Sequence, residues 1–203
     1  KNGVVKNIKC SKGSTNDDLL ALNADDCLMR VENRDMMNGP IENIKFENIS
    51  AEDCHTFLRI ASVDSLVRNI KIRNVRCGCR VNAVNMDATR YCRTPIFREE
   101  EKPHGVGNVR DIEITGMTAW AAAPNEAALF CLETNADGFF IHDFRRDYKK
   151  DAAPERPSVC IRNVCNIKCG MKAGIDLKEY SLSEKSDVLT HEGNFTDFHI
   201  RKL

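Results

Sequence analysis

Apolar and polar positions alternate along this chain in short runs, and one five-residue phrase recurs: apolar, any residue, Asn, apolar, basic. It stands as Val5-Lys6-Asn7-Ile8-Lys9, Ile41-Glu42-Asn43-Ile44-Lys45 and Val67-Arg68-Asn69-Ile70-Lys71, and more loosely as Val106-Gly107-Asn108-Val109-Arg110. A weaker echo is Ile161-Arg162-Asn163-Val164. Each phrase opens a run such as Ile44-Lys45-Phe46 or Ile70-Lys71-Ile72, whose period of two predicts a strand with one buried face. Most units then carry a second apolar run: Leu19 to Leu22, Phe57 to Ile60, Val81 to Met86, and Leu129 to Leu132.

The anchor asparagines Asn7, Asn43, Asn69 and Asn108 are 36, 26 and 39 residues apart. Periods in that range indicate stacked repeats joined by loops of unequal length. Two or three strands per unit with polar turns between them describe one rung of a parallel β-helix, and roughly five to seven rungs would fit. A single rung cannot bury its own apolar face, so stacking must supply the core. An ordinary β-sandwich of about seven strands would also show frequent turns. The return of asparagine at the same place in the phrase favours the β-helix.

Three stretches break the rhythm. Residues 90–107 hold Pro95, Pro103 and the run Glu99-Glu100-Glu101, and 148–157 hold Lys149, Lys150, Asp151, Pro154 and Pro157. Both are expected to be loop insertions. The segment 176–203 begins as a polar run and is expected to act as a terminal loop or cap that covers the last strand edge. Ala119 to Ala123 has helical composition but is cut by Pro124 and is too short for a strong helix.

With 203 residues and 42% hydrophobic content, the chain has material for one sizeable core. The 30 basic and 30 acidic residues cancel, so no field of the whole molecule would steer a nucleic acid. No apolar stretch approaches the ~20 residues of a membrane-spanning helix. The chain opens on Lys1-Asn2-Gly3, directly at a strand phrase and with no leader pattern, which reads as a trimmed or processed piece of a longer protein. Of its ten cysteines, Cys10, Cys54, Cys77, Cys160 and Cys169 lie in or just after strand phrases. That placement suits reduced thiols packed as small hydrophobes, and with them a reducing setting. Cys77-Gly78-Cys79 and the Cys165 to Cys169 stretch lack the paired spacing of a zinc ribbon.

Chemistry concentrates at the adjacent pair Asp17 and Asp18 in Asn16-Asp17-Asp18-Leu19-Leu20. Regular strand geometry sends neighbours to opposite faces, but at a turn both can reach one surface. Crowding there would raise one pKa and leave a proton donor beside a proton acceptor. Asp25 and Asp26 form a second acidic pair, and His55 in Asp53-Cys54-His55-Thr56 occupies the turn one unit later, where stacking would bring it beside the aspartates. Asn16 and Asp17 would serve equally as ordinary turn residues that bond the backbone.

These segments resemble the polygalacturonase-type glycoside hydrolases, which are right-handed, single-stranded parallel β-helices of the pectin-lyase-like superfamily. Asn16-Asp17-Asp18 followed by Leu19-Leu20-Ala21-Leu22 looks like that family's Asp-Asp segment. Asp53-Cys54-His55-Thr56 lies where its histidine turn falls, without the flanking glycines, and Cys79-Arg80-Val81-Asn82 stands at its Arg-Ile-Lys position, without the lysine. The family's Asn-Thr-Asp segment would fall before Lys1, in an upstream β-helix portion. The useful register runs from Gly3 to Asp87.

The resemblance implies acid/base hydrolysis, with inversion, of a pectin-like or other uronic-acid-containing polysaccharide. Asp17, Asp18 and His55 would be catalytic, while Arg59, Arg80, Asp25 and Asp26 would contact substrate. It implies no metal and no cofactor. Polysaccharide or oligosaccharide would be the partner, without nucleic acid or membrane, and the location would be secreted or periplasmic, against the reducing setting that the cysteines suggest. Two other classes remain open: a Ca²⁺-dependent polysaccharide lyase built on Asp17, Asp18, Asp25 and Asp26, and a non-catalytic carbohydrate-binding or structural β-helix.

Overall fold

A computed structural model describes residues 1–13, 16–25, 39–86, 107–162, 171–177, 191–192 and 195–202. The strands are β1 (Gly3–Cys10), β2 (Leu20–Asn23), β3 (Ile41–Ala61), β4 (Val67–Met86), β5 (Val109–Ala121), β6 (Phe130–Leu132), β7 (Ala136–Arg146), β8 (Val159–Arg162), β9 (Met171–Leu177), β10 (His191–Glu192) and β11 (Phe195–Lys202). No helix occurs among the described residues. All eleven strands belong to one sheet, and every recorded pairing is parallel. Two branches share β3 and β4: one runs β1-β3-β4-β5-β7-β9-β11, the other β2-β3-β4-β6-β8-β10.

The alternation that predicts strands also sorts side chains in and out. Phe46, Ile72, Ile114 and Ile141 are in register and buried, as are Ile49, Val75, Met117 and Phe144. In the other branch Leu58, Val84, Phe130 and Val159 line up in the same way. Phe130 of β6 meets Phe144 of β7 edge-on, with centroids 4.7 Å apart, so the inner faces of the two branches close on one core. Full burial of each such aliphatic or aromatic side chain contributes about 1.5–3 kcal/mol.

Two columns of left-handed backbone cross this sheet. The first holds Asn2, Asn43, Asn69, Asp111 and Gly138; the second holds Asn7, Asn48, Asn74, Gly116 and Asp143, all with φ between 53° and 84°. Asparagine, aspartate and glycine tolerate this conformation, which other residues adopt only at a cost of roughly 1–2 kcal/mol. The side chains then bond along each column. Asn43 Nδ2 donates to Asn2 Oδ1 at 2.9 Å and Asn69 Nδ2 to Asn43 Oδ1 at 2.7 Å. Asn48 donates to Asn7 at 3.0 Å and Asn74 to Asn48 at 2.8 Å.

The columns revise the register read from the phrases. Asn7 aligns with Asn48 and Asn74, not with Asn43, and the residue in line with Asn69 is Asp111, not Asn108. Asn108 instead uses its amide nitrogen to bond the Asp64 carbonyl at 3.0 Å, in the turn before β5. Ala119 to Ala121 ends strand β5. Residues 147–158 do form a connection, organised around buried Arg146, which donates to Asp151 Oδ2 (2.7 Å) and to the carbonyls of Ala153 (2.8 Å) and Arg156 (2.7 Å). The insertion expected at 90–107 lies outside the described residues except for Gly107. Within 176–203, β10 and β11 add further parallel strands, β11 against β9.

Cys54, Cys77 and Cys79 are buried free thiols. Cys54 Sγ lies 3.8 Å from Cys79 Sγ and donates to the Gly78 carbonyl at 3.3 Å. Burial pushes the Cys77 and Cys79 thiols up, and hydrogen bonding to Cys79 together with burial does the same for Cys54. Cys131 stands opposite Cys160. Cys165 and Cys169 lie outside the described residues.

Candidate functional site

The turn that carries Asp17 and Asp18 is docked onto the middle of β3. Leu19 N–H donates to the Thr56 carbonyl at 2.8 Å, and the Arg80 guanidinium of β4 donates to the Asn16 carbonyl at 3.2 Å. Leu20, Ala21, Leu22 and Asn23 then pair with Leu58, Arg59, Ile60 and Ala61. Stacking therefore brings together residues far apart in sequence: His55 Nδ1 is 3.8 Å from Asp17 Oδ1 and 3.8 Å from Asp18 Oδ1. Arg59 Nε stands 3.9 Å from Asp18 Oδ2. The Thr56 hydroxyl is 3.2 Å from His55 Nδ1.

The two aspartates sit in different surroundings. The Asp17 side chain is 84% exposed and that of Asp18 only 10%. Asp18 Oδ1 is buried without a hydrogen bond. Burial pushes the Asp18 carboxyl above its ordinary value; Arg59 opposes this, the charge of Asp17 reinforces it, and Thr56 and His55 oppose it more weakly. The net displacement is upward because the desolvation of a carboxylate in this position outweighs a guanidinium at non-contact distance.

The remaining expected site residues separate. Arg80 also pairs with Asp53, Nε to Oδ1 at 3.3 Å, so it braces the aspartate turn against β3. The Asp25 carboxylate is taken up by backbone N–H groups at the β3–β4 turn: Val63, Asp64 at 2.8 Å and Ser65 at 2.7 Å. It does not join the Asp17, Asp18 and His55 group. Asp26 lies outside the described residues. Thr56 and Asp53 had no signal of their own in the sequence beyond flanking His55. Trp120 is a packing residue, with the Arg76 guanidinium 5.0 Å and Lys150 Nζ 4.8 Å from its ring centre.

One ligand atom from each of Asp17, Asp18 and His55 falls within 4.8 Å of the others, so these three could hold a divalent cation. Arg59 beside Asp18 works against it. The same spacing bears on hydrolysis. Facing carboxyls about 6.5–9.5 Å apart leave room for the water of an inverting reaction, and about 5–5.5 Å serves a retaining one. Asp17 and Asp18 bring one carboxylate oxygen each within 4.8 Å of the other, short of the inverting range. Compared with known proteins, the chain matches no family model, no curated protein and no solved structure.

Proposed function

We propose that this chain is a right-handed parallel β-helix of the polygalacturonase type and that it hydrolyses glycosidic bonds in a uronic-acid-containing polysaccharide. All-parallel pairing in two branches around one core supports the β-helix. The hydrolase reading rests on one observation: a largely buried carboxyl, Asp18, held above its ordinary pKa next to an exposed carboxylate, Asp17, with His55 at 3.8 Å from both. An acid that keeps its proton toward neutral pH, paired with a solvent-facing carboxylate, is the arrangement that glycoside cleavage uses.

In this reading Asp18 protonates the leaving oxygen. Asp17, on the solvent side, is placed to attack the sugar carbon itself; activating the attacking water instead would need the two carboxyls to stand further apart, and the anomer first formed distinguishes the two. His55 fixes the geometry of the pair. Arg59 is oriented toward Asp18 and presents a guanidinium to a uronate carboxylate. The lyase alternative is less favoured. Ca²⁺ takes six to eight oxygen ligands, Asp25 is engaged by backbone amides, and Arg59 already faces Asp18.

The test is release of reducing ends from polygalacturonate and related uronans by the wild type and by Asp18→Asn, with proton NMR of the first product. Turnover that disappears in Asp18→Asn supports the proposal. An unsaturated, ultraviolet-absorbing product that depends on Ca²⁺ would transfer the site to a lyase. No turnover by either protein, with unchanged oligosaccharide binding, would leave a binding module.

A further inference from the structure

A second face of the molecule is equipped for the same class of ligand. Between the two left-handed columns, outward positions alternate with core positions. The register sets Lys45, Lys71, Glu113 and Phe140 in one row and Lys6, Glu47, Arg73, Thr115 and His142 in the next. Two concavities open here. One is lined by Lys45, Glu47, Lys71 and Arg73. The other, of about 320 Å³, includes Lys71, Asp111, Glu113, Phe140 and His142. Lys71 lines both, so the two adjoin and together make a groove across β3, β4, β5 and β7. At about 4.8 Å per strand, the rows from β3 to β7 span roughly 14 Å, the length of a short oligosaccharide. The column holding Asn48 and Asn74 separates this face from Asp53 to Arg59 on β3 and from the Asp17, Asp18 and His55 cluster.

The ends of the groove differ in chemistry. At one end three cations, Lys45, Lys71 and Arg73, surround the single carboxylate Glu47. At the other, the Phe140 and His142 rings are nearly parallel, 11° apart with centroids separated by 6.1 Å, and form a flat aromatic shelf. Between them Lys71 Nζ lies 3.8 Å from Glu113 Oε2. A uronate sugar has the matching pair of features, a C–H face that packs on an aromatic ring and a carboxylate that ammonium and guanidinium groups bind. Asp111, Glu113 and Glu47 can accept hydrogen bonds from sugar hydroxyls, and they would repel a densely charged phosphate chain.

We propose that this groove is a second, non-catalytic binding site for a uronate-bearing oligosaccharide, seated with a ring on Phe140 and a carboxylate toward Lys71 and Arg73. The inference takes its substrate class from the proposed function but uses none of the cluster's residues. Calorimetric titration of the whole chain with trigalacturonate, and with a neutral galactose trisaccharide, tests it. The double variant Lys71→Gln/Arg73→Gln should weaken the acidic ligand about tenfold or more. Phe140→Ala should weaken it by roughly two- to tenfold. Asp18→Asn should leave this binding in place, and urea unfolding of each variant checks that the fold persists. Equal affinity for the neutral trisaccharide, or no effect of Phe140→Ala, would overturn the groove as a sugar site. Loss of binding in Asp18→Asn but not in the double variant would also overturn it, while leaving the hydrolase reading intact. Groove binding without any turnover would do the reverse.

Discussion

Replacing Asn48 by alanine removes two side-chain hydrogen bonds, the one it donates to Asn7 at 3.0 Å and the one it accepts from Asn74 at 2.8 Å. Both are exposed, so each contributes about 0.5–1 kcal/mol. Alanine must also adopt φ near 57°, which adds about 1–2 kcal/mol for a residue with an ordinary Cβ. The expected loss is therefore about 2–4 kcal/mol. Asn48→Gly separates the two causes. It loses the same bonds without strain, but glycine gains freedom in the unfolded chain worth about 0.4–1 kcal/mol. Its expected loss is about 1.5–3 kcal/mol, and the alanine variant should be the less stable of the two by about 0.5–1 kcal/mol. Urea unfolding followed by far-ultraviolet circular dichroism measures both. An alanine variant as stable as the glycine variant would refute the argument that left-handed backbone selects asparagine here. Two variants indistinguishable from wild type would refute the contribution of the amide column as well.

Four further outcomes follow. On the proposed hydrolase reading, Asp18→Asn should lower turnover about 10²- to 10⁴-fold. Because the Asp18 carboxyl is held above its ordinary value, the folded chain keeps a proton that the unfolded chain has lost. Wild-type stability should therefore fall as pH rises from the ordinary carboxylate range through the raised value, and a pH series of urea midpoints should show Asp18→Asn without that fall. Gly78→Ala would put a Cβ against the Glu52 carbonyl and 2.6 Å from Trp120 Nε1; backbone cannot yield as a side chain can, so the loss in urea unfolding should reach about 3 kcal/mol, the upper end for overpacking. Arg146→Met takes the guanidinium from a fully buried pair and leaves Asp151 with the Ala153 N–H and the nearby charge of Arg156; it should cost about 3 kcal/mol, the lower end for a broken buried pair, with earlier proteolytic cutting within 147–158 as a second readout.

The strands and the inward positions were legible because burial imposes a period of two, and Leu19 to Leu22, Phe57 to Ile60, Val81 to Met86 and Leu129 to Leu132 all fall on the second branch. The meeting of Asp17, Asp18 and His55 was legible for the same reason, since stacking of adjacent units sets which residues are neighbours. Register was not. Phe46-Glu47-Asn48-Ile49 fits the Asn7 phrase about as well as Ile41-Glu42-Asn43-Ile44 does, because each unit has two left-handed corners five residues apart. Only the partner strands decide between them. The fate of Asp25 was equally hidden, because three backbone amides compete for its carboxylate and a sequence does not display amides. The difference in exposure between Asp17 and Asp18 depends on how the turn docks on Thr56 and Arg80, which adjacency in the chain does not encode.

The same corner of the sheet is crossed by chain segments of very different length. Residues 133–135 suffice between β6 and β7 and 62–66 between β3 and β4, whereas 24–40 lie between β2 and β3 and 87–108 between β4 and β5. The left-handed columns stay aligned throughout. Since each doubling of a flexible loop costs only about 0.6 kcal/mol in closure entropy, this corner is a port through which new sequence can enter without disturbing what is stacked above and below. For an engineer, a segment grafted between Leu132 and Ala136 would have to keep Glu133 and Thr134, which are buried there, and add its new wall beyond them. For natural variation, it separates the part of the chain free to drift from the part bound to its neighbours.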